Sequence, residues 1–393
     1  MTRLSRTTLF ASLLTIGAVF GTGVEARAAD IVIGVVGVMS GPYAIWGENL
    51  REGATLAAET INEKGGVGGH RFSLLFRDDE ANPTKSVTAV TELIERQKVD
   101  GLVASATTGA TLAILPYIAK ARIPHFLASS SGTNIDPRLN PFTFKTVQSD
   151  SLLAKEMARY LVKDRKFKKI GIFHVADGFG NNLKTFYTSA LSELGIPPAS
   201  VQSINNGETD ATSQVLRLRQ DGVEAIMVGA LEPELATLLR SMEKIGFSVP
   251  AVSSDISVTG SFFNLMANKI PDFLFAVRGR GLTYSAQQPL GPQVKGFVAR
   301  VNRRFGVKNR HLANVAAAYD AVQLIALSVS KNGSLAAEPF KATMESLKQF
   351  PGVVGAYGFA PDQHMAVVDF TITKVSDVNP EEARIGLSSR IVP

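Results

Sequence analysis

Hydroxyl side chains follow two short apolar runs in the first third of the chain. They are Thr107 and Thr108, after residues 101–104, and Ser129, Ser130 and Ser131, after residues 124–127. Hydroxyls and backbone amides at the start of a helix can bind a carboxylate without a fixed cation. Taken alone, each cluster is also typical of ordinary turn and helix-cap chemistry. Two such clusters, at the ends of two successive predicted strands, favour a carboxylate-binding site.

A single carboxylate, Asp255, follows a predicted strand at residues 250–252 in the second half of the chain. A carboxylate at the end of a strand can offer charge-assisted hydrogen bonds to a cationic group. The alternative is that Asp255 caps a helix over residues 258–266. Trp46, the only tryptophan, lies in a loop after the first apolar run, where it either borders a ligand or packs as an ordinary aromatic residue.

Arrangements typical of enzymes are missing from the sequence. The five histidines show no metal-ligand or H-E-x-x-H spacing, and they are His70, His125, His174, His311 and His364. The chain has no cysteine, no G-x-S-x-G elbow, no Walker loop and no intact G-x-G-x-x-G. Asp78 and Asp79 are adjacent on a predicted strand and so point to opposite faces. We therefore expect no catalytic residues, no metal and no cofactor.

The element that positions Trp46 is a strand, loop and helix at residues 30–62. A β-branched apolar run at 31–36 predicts a buried strand, and apolar residues then recur at helical spacing until Gly65. Further strands are predicted at 72–76, 101–104 and 124–127, and a second series at 170–174, 201–204, 225–228 and 250–252. Strands that alternate with helices indicate mostly parallel sheets, and two successive series in 393 residues indicate two lobes. Loops at the carboxyl ends of such strands face a ligand crevice.

The first loop contains M-S-G-P-Y and W-G-E-N, the first helix ends in I-N-E-K-G-G-V-G-G, and R-D-D-E-A-N-P lies near Asp78. On these motifs, and on a similarity that continues to about residue 375, the chain resembles the periplasmic branched-chain amino-acid-binding proteins of ABC importers. The resemblance implies a type I periplasmic-binding fold: two Rossmann-like three-layer α/β/α lobes joined by about three crossing segments. These crossings are expected at residues 142–146, 273–277 and 355–358. The expected division is a signal peptide at 1–28, lobe 1 at 29–147 plus 277–354, and lobe 2 at 148–276 plus 355–393.

The resemblance also implies roles for individual residues. The ligand carboxylate would lie on Thr108, Ser129 and Ser131, and its ammonium on Asp255. Its side chain would lie by Trp46 and by Phe179, where the family commonly has tyrosine. Leu231 stands where the family usually offers an aromatic residue, so the departure leaves an amide or an aromatic carboxylate as the main rival ligand. Glu232 is either a second anionic contact or an acid of the first helical turn.

Composition and the N-terminus predict where the protein works. Arg3 and Arg6, the apolar run 9–20 and a small-x-small site at 26–28 predict a Sec signal peptide. Without cysteine there is no lipid anchor, so we expect a periplasmic protein and a monomer. The net charge is +6, and its densest basic run, 163–169, is typical of a solvated helix end. This dilute charge gives no support for nucleic-acid binding.

The function expected from the resemblance is that of a substrate receptor, not an enzyme. It would bind a small ligand between closing lobes and dock on an ABC permease in the inner membrane. One alternative is a ligand sensor of the same fold that presents its closed form to a receptor. The other is an exported hydrolase with an unrecognised site.

Overall fold

The computed structural model describes residues 30–41, 43–104, 107–129, 135–147, 149–279, 282–284, 289–308, 310–365, 370–379 and 388–389. The predicted signal peptide lies outside these residues. Within them the chain forms two α/β lobes, each built around its own sheet. The predicted fold class is confirmed.

The sheet of the first lobe has five strands. They are β1 (Ile31–Gly37), β2 (Phe72–Asp78), β3 (Gly101–Ala104), β4 (His125–Leu127) and β5 (Thr143–Lys145). Their order is β2-β1-β3-β4-β5 and every neighbouring pair is parallel. The central strands are apolar on both faces because helices cover both sides of a parallel sheet. Three of these helices come from the first part of the chain: α1 (Ala44–Glu63), α2 (Pro83–Glu95) and α3 (Thr108–Ala121).

The sheet of the second lobe has six strands. They are β6 (Ile170–Val175), β7 (Ser200–Ile204), β8 (Ala225–Gly229), β9 (Ala251–Ser254), β10 (Leu274–Gly279) and β14 (Phe370–Lys374). Their order is β14-β10-β9-β8-β6-β7, and only β14 runs antiparallel to its neighbour. Its helices are α4 (Asp150–Arg159), extended by a π-helical turn at Tyr160–Asp164, α5 (Gly178–Glu193), α6 (Thr212–Gln220), α7 (Glu232–Lys244) and α8 (Gly260–Leu265). Short 3-10 turns cover Asp255–Ser257 and Val375–Asp377.

Three later helices return to the first lobe and complete its core. They are α9 (Pro292–Phe305), α10 (Leu312–Asn332) and α11 (Ala337–Ser346). Among the described residues, α10 is the one helix long and apolar enough to cross a membrane, but 83% of its apolar window is buried inside the molecule. It is therefore typical of a core helix. The remaining strands are short pairs, β11 (Thr283–Tyr284) with β15 (Ser388–Ser389), and β12 (Phe350–Pro351) with β13 (Ala356–Tyr357).

The chain crosses between the lobes at higher residue numbers than the sequence predicted. Residues 143–145 form β5 in the first sheet, and β10 remains in the second sheet as far as Gly279. Tyr357 and Phe359 pack in the core of the first lobe, and Met365 bridges to Lys145 of β5. The predicted segments are thus held within one lobe by strand pairing or by core packing, and the chain changes lobe after each of them. The division of the whole chain at residues 147, 276 and 354 stays a prediction.

The contact between α1 and α10 leaves no room for a side chain at Gly53. A Cβ atom there would lie 2.1 Å from the carbonyl oxygen of Val315 and 2.8 Å from the Cβ atom of Ala318. We expect Gly53→Ala to lower the free energy of unfolding by roughly 1–3 kcal/mol, because the helices must separate. Urea denaturation followed by circular dichroism measures this change.

Gly296 offers a matched control for that substitution. It lies on the exposed side of α9, and a Cβ atom there would meet nothing within 4 Å. Gly296→Ala should leave stability unchanged or raise it by up to about 1 kcal/mol, because alanine favours a helix. An equal loss of stability in both variants would contradict the proposed role of the close contact.

Candidate ligand-binding cleft

A cleft of about 900 Å³ opens between the lobes at the carboxyl ends of their parallel strands. Every predicted site residue that the structure describes lines it, namely Trp46, Thr107, Thr108, Ser129, Phe179, Leu231 and Asp255. Ser130 and Ser131 lie outside the described residues. The volume is that of a small-molecule site, since such clefts usually enclose about 300–1,000 Å³. The ligand-binding role of each residue stays a prediction.

The N-terminus of α3 points its first turn at the cleft. Thr107 caps this helix, and its hydroxyl accepts a hydrogen bond from the backbone N–H of Ala110 at 3.4 Å. Thr108 and Gly109 follow in the first turn. The three residues Thr107, Thr108 and Gly109, called here the α3 entrance, all line the cleft. The backbone amides of the first turn and the positive end of the helix dipole make this end of α3 suitable for an anion.

Ser129 belongs to a chain of polar side chains in the first lobe. Its hydroxyl accepts a hydrogen bond from Asn314 Nδ2 at 3.2 Å, and Asn314 Oδ1 lies 2.8 Å from His311 Nδ1. His311 and Asn314 stand at the beginning of α10, and both line the cleft. The sequence reasoning missed them as site residues. Their spacing of three matches one helical turn, but that signal says nothing about which cleft the turn meets.

Asp255 faces the cleft from the opposite lobe. It begins the 3-10 turn after β9 and is 6% exposed. Its Oδ2 lies 3.8 Å from His311 Nε2. The alternative that Asp255 caps the following helix is wrong. The N-cap of α8 is Thr259, whose hydroxyl accepts a hydrogen bond from the Ser261 N–H at 3.2 Å.

Arg278 lies behind Asp255, away from the main cleft. Its guanidinium donates to the carbonyl of Val258 at 2.9 Å, and the residue is 5% exposed. Burial lowers the pKa of Arg278, and the charge of Asp255 opposes that effect. Asp255 is therefore a carboxylate with a cation on its inner side and the cleft on its outer side.

Aromatic and aliphatic side chains form the remaining walls. Trp46 packs its ring against the His311 imidazole, with centroids 5.4 Å apart, so it both borders the cleft and makes a packing contact. Phe179 lies in the first turn of α5, whose N-cap Asp177 accepts from the Gly180 N–H at 2.8 Å. Phe186, two turns along that helix, also lines the cleft and was not predicted.

The residues at the start of α7 settle the alternatives for Glu232. Leu231 precedes the helix and lines the cleft, whereas Glu232 is its first residue and is not part of the lining. The Thr259 hydroxyl donates to Glu232 Oε1 at 2.9 Å. Burial raises the pKa of the Glu232 carboxyl, although Thr259 and His311 act in the other direction. Glu232 is thus an acid of the first helical turn that joins α7 to the loop before α8.

In the part of the chain that the structure describes, no cluster of side chains forms a metal-binding site. No group of three or more His, Cys, Asp or Glu side chains converges there. The cleft instead combines a helix N-terminus, neutral hydrogen-bonding groups, apolar walls and, in the opposite lobe, the buried carboxyl groups of Asp255 and Asp150. This arrangement can bind a small polar molecule with two unlike ends.

Comparison with known proteins identifies the family. Residues 30–379 match the family model described as periplasmic binding protein. The chain belongs to this family. An amino acid binding protein from Pseudomonas aeruginosa is 27% identical over 366 residues, which are 93% of this chain and 95% of that protein.

Solved structures share the fold. The branched-chain amino acid transporter substrate binding protein LivJ from Streptococcus pneumoniae, in complex with isoleucine, matches with a TM-score of 0.75 and 21% identity over 90% of this chain and 97% of that chain. A solute binding protein of an ABC transporter from Rhodopseudomonas palustris, in complex with p-hydroxybenzoic acid, matches with a TM-score of 0.76 and 20% identity over 90% and 93%. The two lobes are thus those of a type I periplasmic binding protein.

A buried carboxyl group on α10 binds the loop that forms one edge of the cleft. Asp320 Oδ2 accepts hydrogen bonds from the Val353 N–H at 2.8 Å and from the Tyr357 hydroxyl at 2.9 Å. The next residue, Val354, lines the cleft. Burial raises the pKa of Asp320 to about 7, and the hydrogen bonds from Tyr357, Val353 and Val354 act against that rise.

The raised pKa of Asp320 predicts how stability changes with pH. The folded state holds the proton up to about pH 7 while the unfolded chain releases it near pH 4, so the free energy of unfolding falls as pH rises between these values. Asp320→Asn should remove a fall of about 2.5 kcal/mol between pH 5 and pH 8. Urea denaturation of both proteins at the two pH values measures it. Equal pH dependence in the two proteins would contradict the assignment.

Proposed function

We propose that this protein is the extracytoplasmic substrate-binding protein of an ABC importer. It binds an aliphatic amino acid, or a related small carboxylate, between its two lobes and delivers it to a permease in the inner membrane. We further propose that it works as a periplasmic monomer after removal of residues 1–28. The observation that carries the proposal is the pairing of the α3 entrance in one lobe with the Asp255 carboxylate in the other.

The two ends of the cleft have opposite electrostatic character, as a zwitterion requires. The ligand carboxylate would accept hydrogen bonds from the first turn of α3, from Thr108 and from Ser129. Ser131 joins this set in the proposal, on the resemblance alone. The ammonium would donate to Asp255, and the exclusion of water from a closed cleft would strengthen both contacts. A ligand that bridges the lobes in this way stabilises the closed state over the open one.

Trp46 and Phe179 would border the ligand side chain from the two lobes. Leu231 adds an aliphatic surface where the resembling family usually has an aromatic residue. The amino acid binding protein of Pseudomonas aeruginosa, similar along almost its whole length, supports an amino acid as the ligand class. LivJ, with isoleucine bound, supports the same class within the shared fold.

A second candidate ligand is an aromatic carboxylate. It is favoured by the same leucine, because the missing aromatic side chain leaves space for a ring, and by the Rhodopseudomonas palustris neighbour in complex with p-hydroxybenzoic acid. Such a ligand carries no ammonium and would leave Asp255 without a ligand partner. The role of Asp255 therefore separates the two ligand classes.

The test is a titration of the mature protein, refolded to remove carried ligand, with L-leucine, 4-methylpentanoate and p-hydroxybenzoate. We expect leucine to bind and to raise the melting temperature, since a ligand at about 100 times its Kd adds about 2.7 kcal/mol of stability. Asp255→Asn should weaken leucine about 30- to 1,000-fold, because a charge-assisted hydrogen bond in a buried site is lost. Isothermal titration calorimetry measures both affinities.

Asp272→Asn is the matched control, because Asp272 lies on the surface of the same lobe with its side chain 85% exposed and pairs with Lys374 at 3.2 Å. It should leave leucine affinity unchanged. Binding of either ammonium-free acid in preference to leucine would overturn the amino-acid assignment and keep the receptor. Conversion of any ligand to product would overturn the receptor itself.

A further inference from the structure

Three polar side chains of the first lobe form one hydrogen-bonded chain that ends at the cleft. His311 is the N-cap of α10, Asn314 lies in the first turn of that helix, and Ser129 comes shortly after β4. His311 Nδ1 lies 2.8 Å from Asn314 Oδ1, and Asn314 Nδ2 donates to Ser129 Oγ at 3.2 Å. All three residues are buried and line the cleft.

The two ends of the Asn314 amide differ chemically, so this chain has a direction. The contact between His311 Nδ1 and Asn314 Oδ1 needs a proton on Nδ1, because an amide oxygen can only accept. Nδ1 carries a proton in the charged imidazole and in one of its two neutral tautomers, so the contact does not depend on the charge of His311. The amide therefore turns its N–H group toward Ser129.

The start of α10 holds the chain in this orientation. The Trp46 ring packs against the His311 imidazole with centroids 5.4 Å apart. The backbone N–H of Asn314 donates to the His311 carbonyl oxygen at 3.0 Å, which fixes the two residues relative to each other. The amide is thus positioned by the core of the first lobe and by its own helix turn.

The direction of the chain decides what Ser129 offers to a ligand. A hydroxyl has one proton and two lone pairs. Asn314 is the hydrogen-bond partner of Ser129 among the described residues, and it occupies one lone pair. The serine proton is therefore left for an acceptor in the cleft. The described lining residues include no lysine or arginine, so neutral donors such as this one have to recognise the acid group of a ligand.

A reversed amide would give the opposite preference. With Nδ2 toward His311 and Oδ1 toward Ser129, the serine would donate its proton to Asn314 and offer only lone pairs to the cleft. The observed direction suits a carboxylate, which can only accept. The reversed direction suits a carboxamide, which brings N–H donors of its own.

We propose that Asn314 is a positioning residue that makes Ser129 a hydrogen-bond donor to the ligand, and that the site thereby selects a carboxylate over a carboxamide. This inference rests on the proposed function, because it takes the carboxylate of an amino acid to lie on Ser129. Asn314 acts through the serine hydroxyl, and His311 holds the amide of Asn314 in the required direction.

Asn314→Asp is the variant that tests the direction of the chain. The new carboxylate still accepts from His311 Nδ1, and the helix dipole favours an acid in the first turn of α10, so the fold should be kept. The same carboxylate accepts the Ser129 proton, which is then lost to the ligand. We expect the affinity for L-leucine to fall about 100-fold or more, and that for L-leucinamide less than about tenfold. Calorimetry near pH 6.5 measures both, because leucinamide, with an α-amino pKa of about 7.7–8.0, then carries its ammonium.

A double-mutant cycle with Ser129→Ala separates this mechanism from charge repulsion. In the wild-type protein Ser129→Ala should weaken leucine about 10- to 100-fold, because a hydrogen bond to a charged group is lost. In Asn314→Asp it should weaken leucine less than about threefold, because that hydrogen bond is already absent. Asn181→Asp is the matched control, since Asn181 lines the cleft from α5 and adds the same charge from the opposite lobe. In that background Ser129→Ala should keep its full effect.

The direction can also be measured without changing Asn314 or Ser129. Two-bond ¹H–¹⁵N spectra of the histidine rings distinguish a protonated ring nitrogen from a bare one, and the His311 signals are those that disappear in His311→Gln. We expect a protonated Nδ1 on His311 in the wild-type mature protein. A bare Nδ1 would mean that the amide is reversed and would overturn the proposal.

The outcomes separate this inference from the proposed function. A full effect of Ser129→Ala in the Asn314→Asp background, or equal losses of leucine and leucinamide in Asn314→Asp, would contradict the positioning role of Asn314 and keep the amino-acid receptor. Tighter binding of leucinamide or p-hydroxybenzoate than of leucine by the wild-type protein would overturn the amino-acid ligand on which the inference rests.

Discussion

The close contact between α1 and α10 is the constraint on which the cleft depends. Gly53 lets the two helices approach until a Cβ atom would touch the backbone of Val315. Because α10 is buried along most of its length, its rotation and depth are fixed by the core of the first lobe. Its first turn then brings His311 and Asn314 to the cleft, and its middle brings Asp320 under the loop that carries Val354. One packing contact thus positions three polar groups that work at different places.

The electrostatic character of the cleft depends on the groups that pack behind its lining residues. The α3 entrance offers partial positive charge from its amides, with no lysine or arginine among the described lining residues. Asp255 is backed by Arg278, so its carboxylate is tolerated in a buried position while one side remains turned to the cleft. Neutral hydrogen-bonding groups on one side and a carboxylate beside a guanidinium on the other both reduce the cost of burying polar groups in this cleft.

The sequence was most informative about residues at the ends of strands. Thr107 and Ser129 follow strands of the first sheet, and the carboxyl ends of parallel strands meet at one edge, so their convergence was predictable from strand order. Asp255 follows a strand of the second sheet, and its place opposite them was implied by the resemblance. The roles of Phe179 and Leu231 came from the resemblance, and the structure adds that both line the same cleft. Local periodicity therefore yielded the two lobes and the strand-end hydroxyl groups, and the resemblance supplied the residues opposite them.

What the sequence could not show depends on packing between distant segments. Asn314 and Ser129 are 185 positions apart, and their hydrogen bond exists because α10 lies against the first sheet. The crossing segments were predicted too early for a related reason, since three-residue strands such as β5 are defined by their partners more than by their own pattern. The role of Glu232 could not be decided from the sequence because its partner, Thr259, comes from another loop of the same lobe.

Trp46 gives the protein a built-in optical reporter. It is the only tryptophan of the chain, so all tryptophan emission arises from a single ring, and that ring lies in the cleft beside an imidazole. Seven tyrosines also absorb, but excitation at the red edge of the band avoids them. Changes in the solvent contact of the indole then appear directly in the emission. The occupancy of the cleft and the movement of its lobes can be followed in real time without attaching any dye.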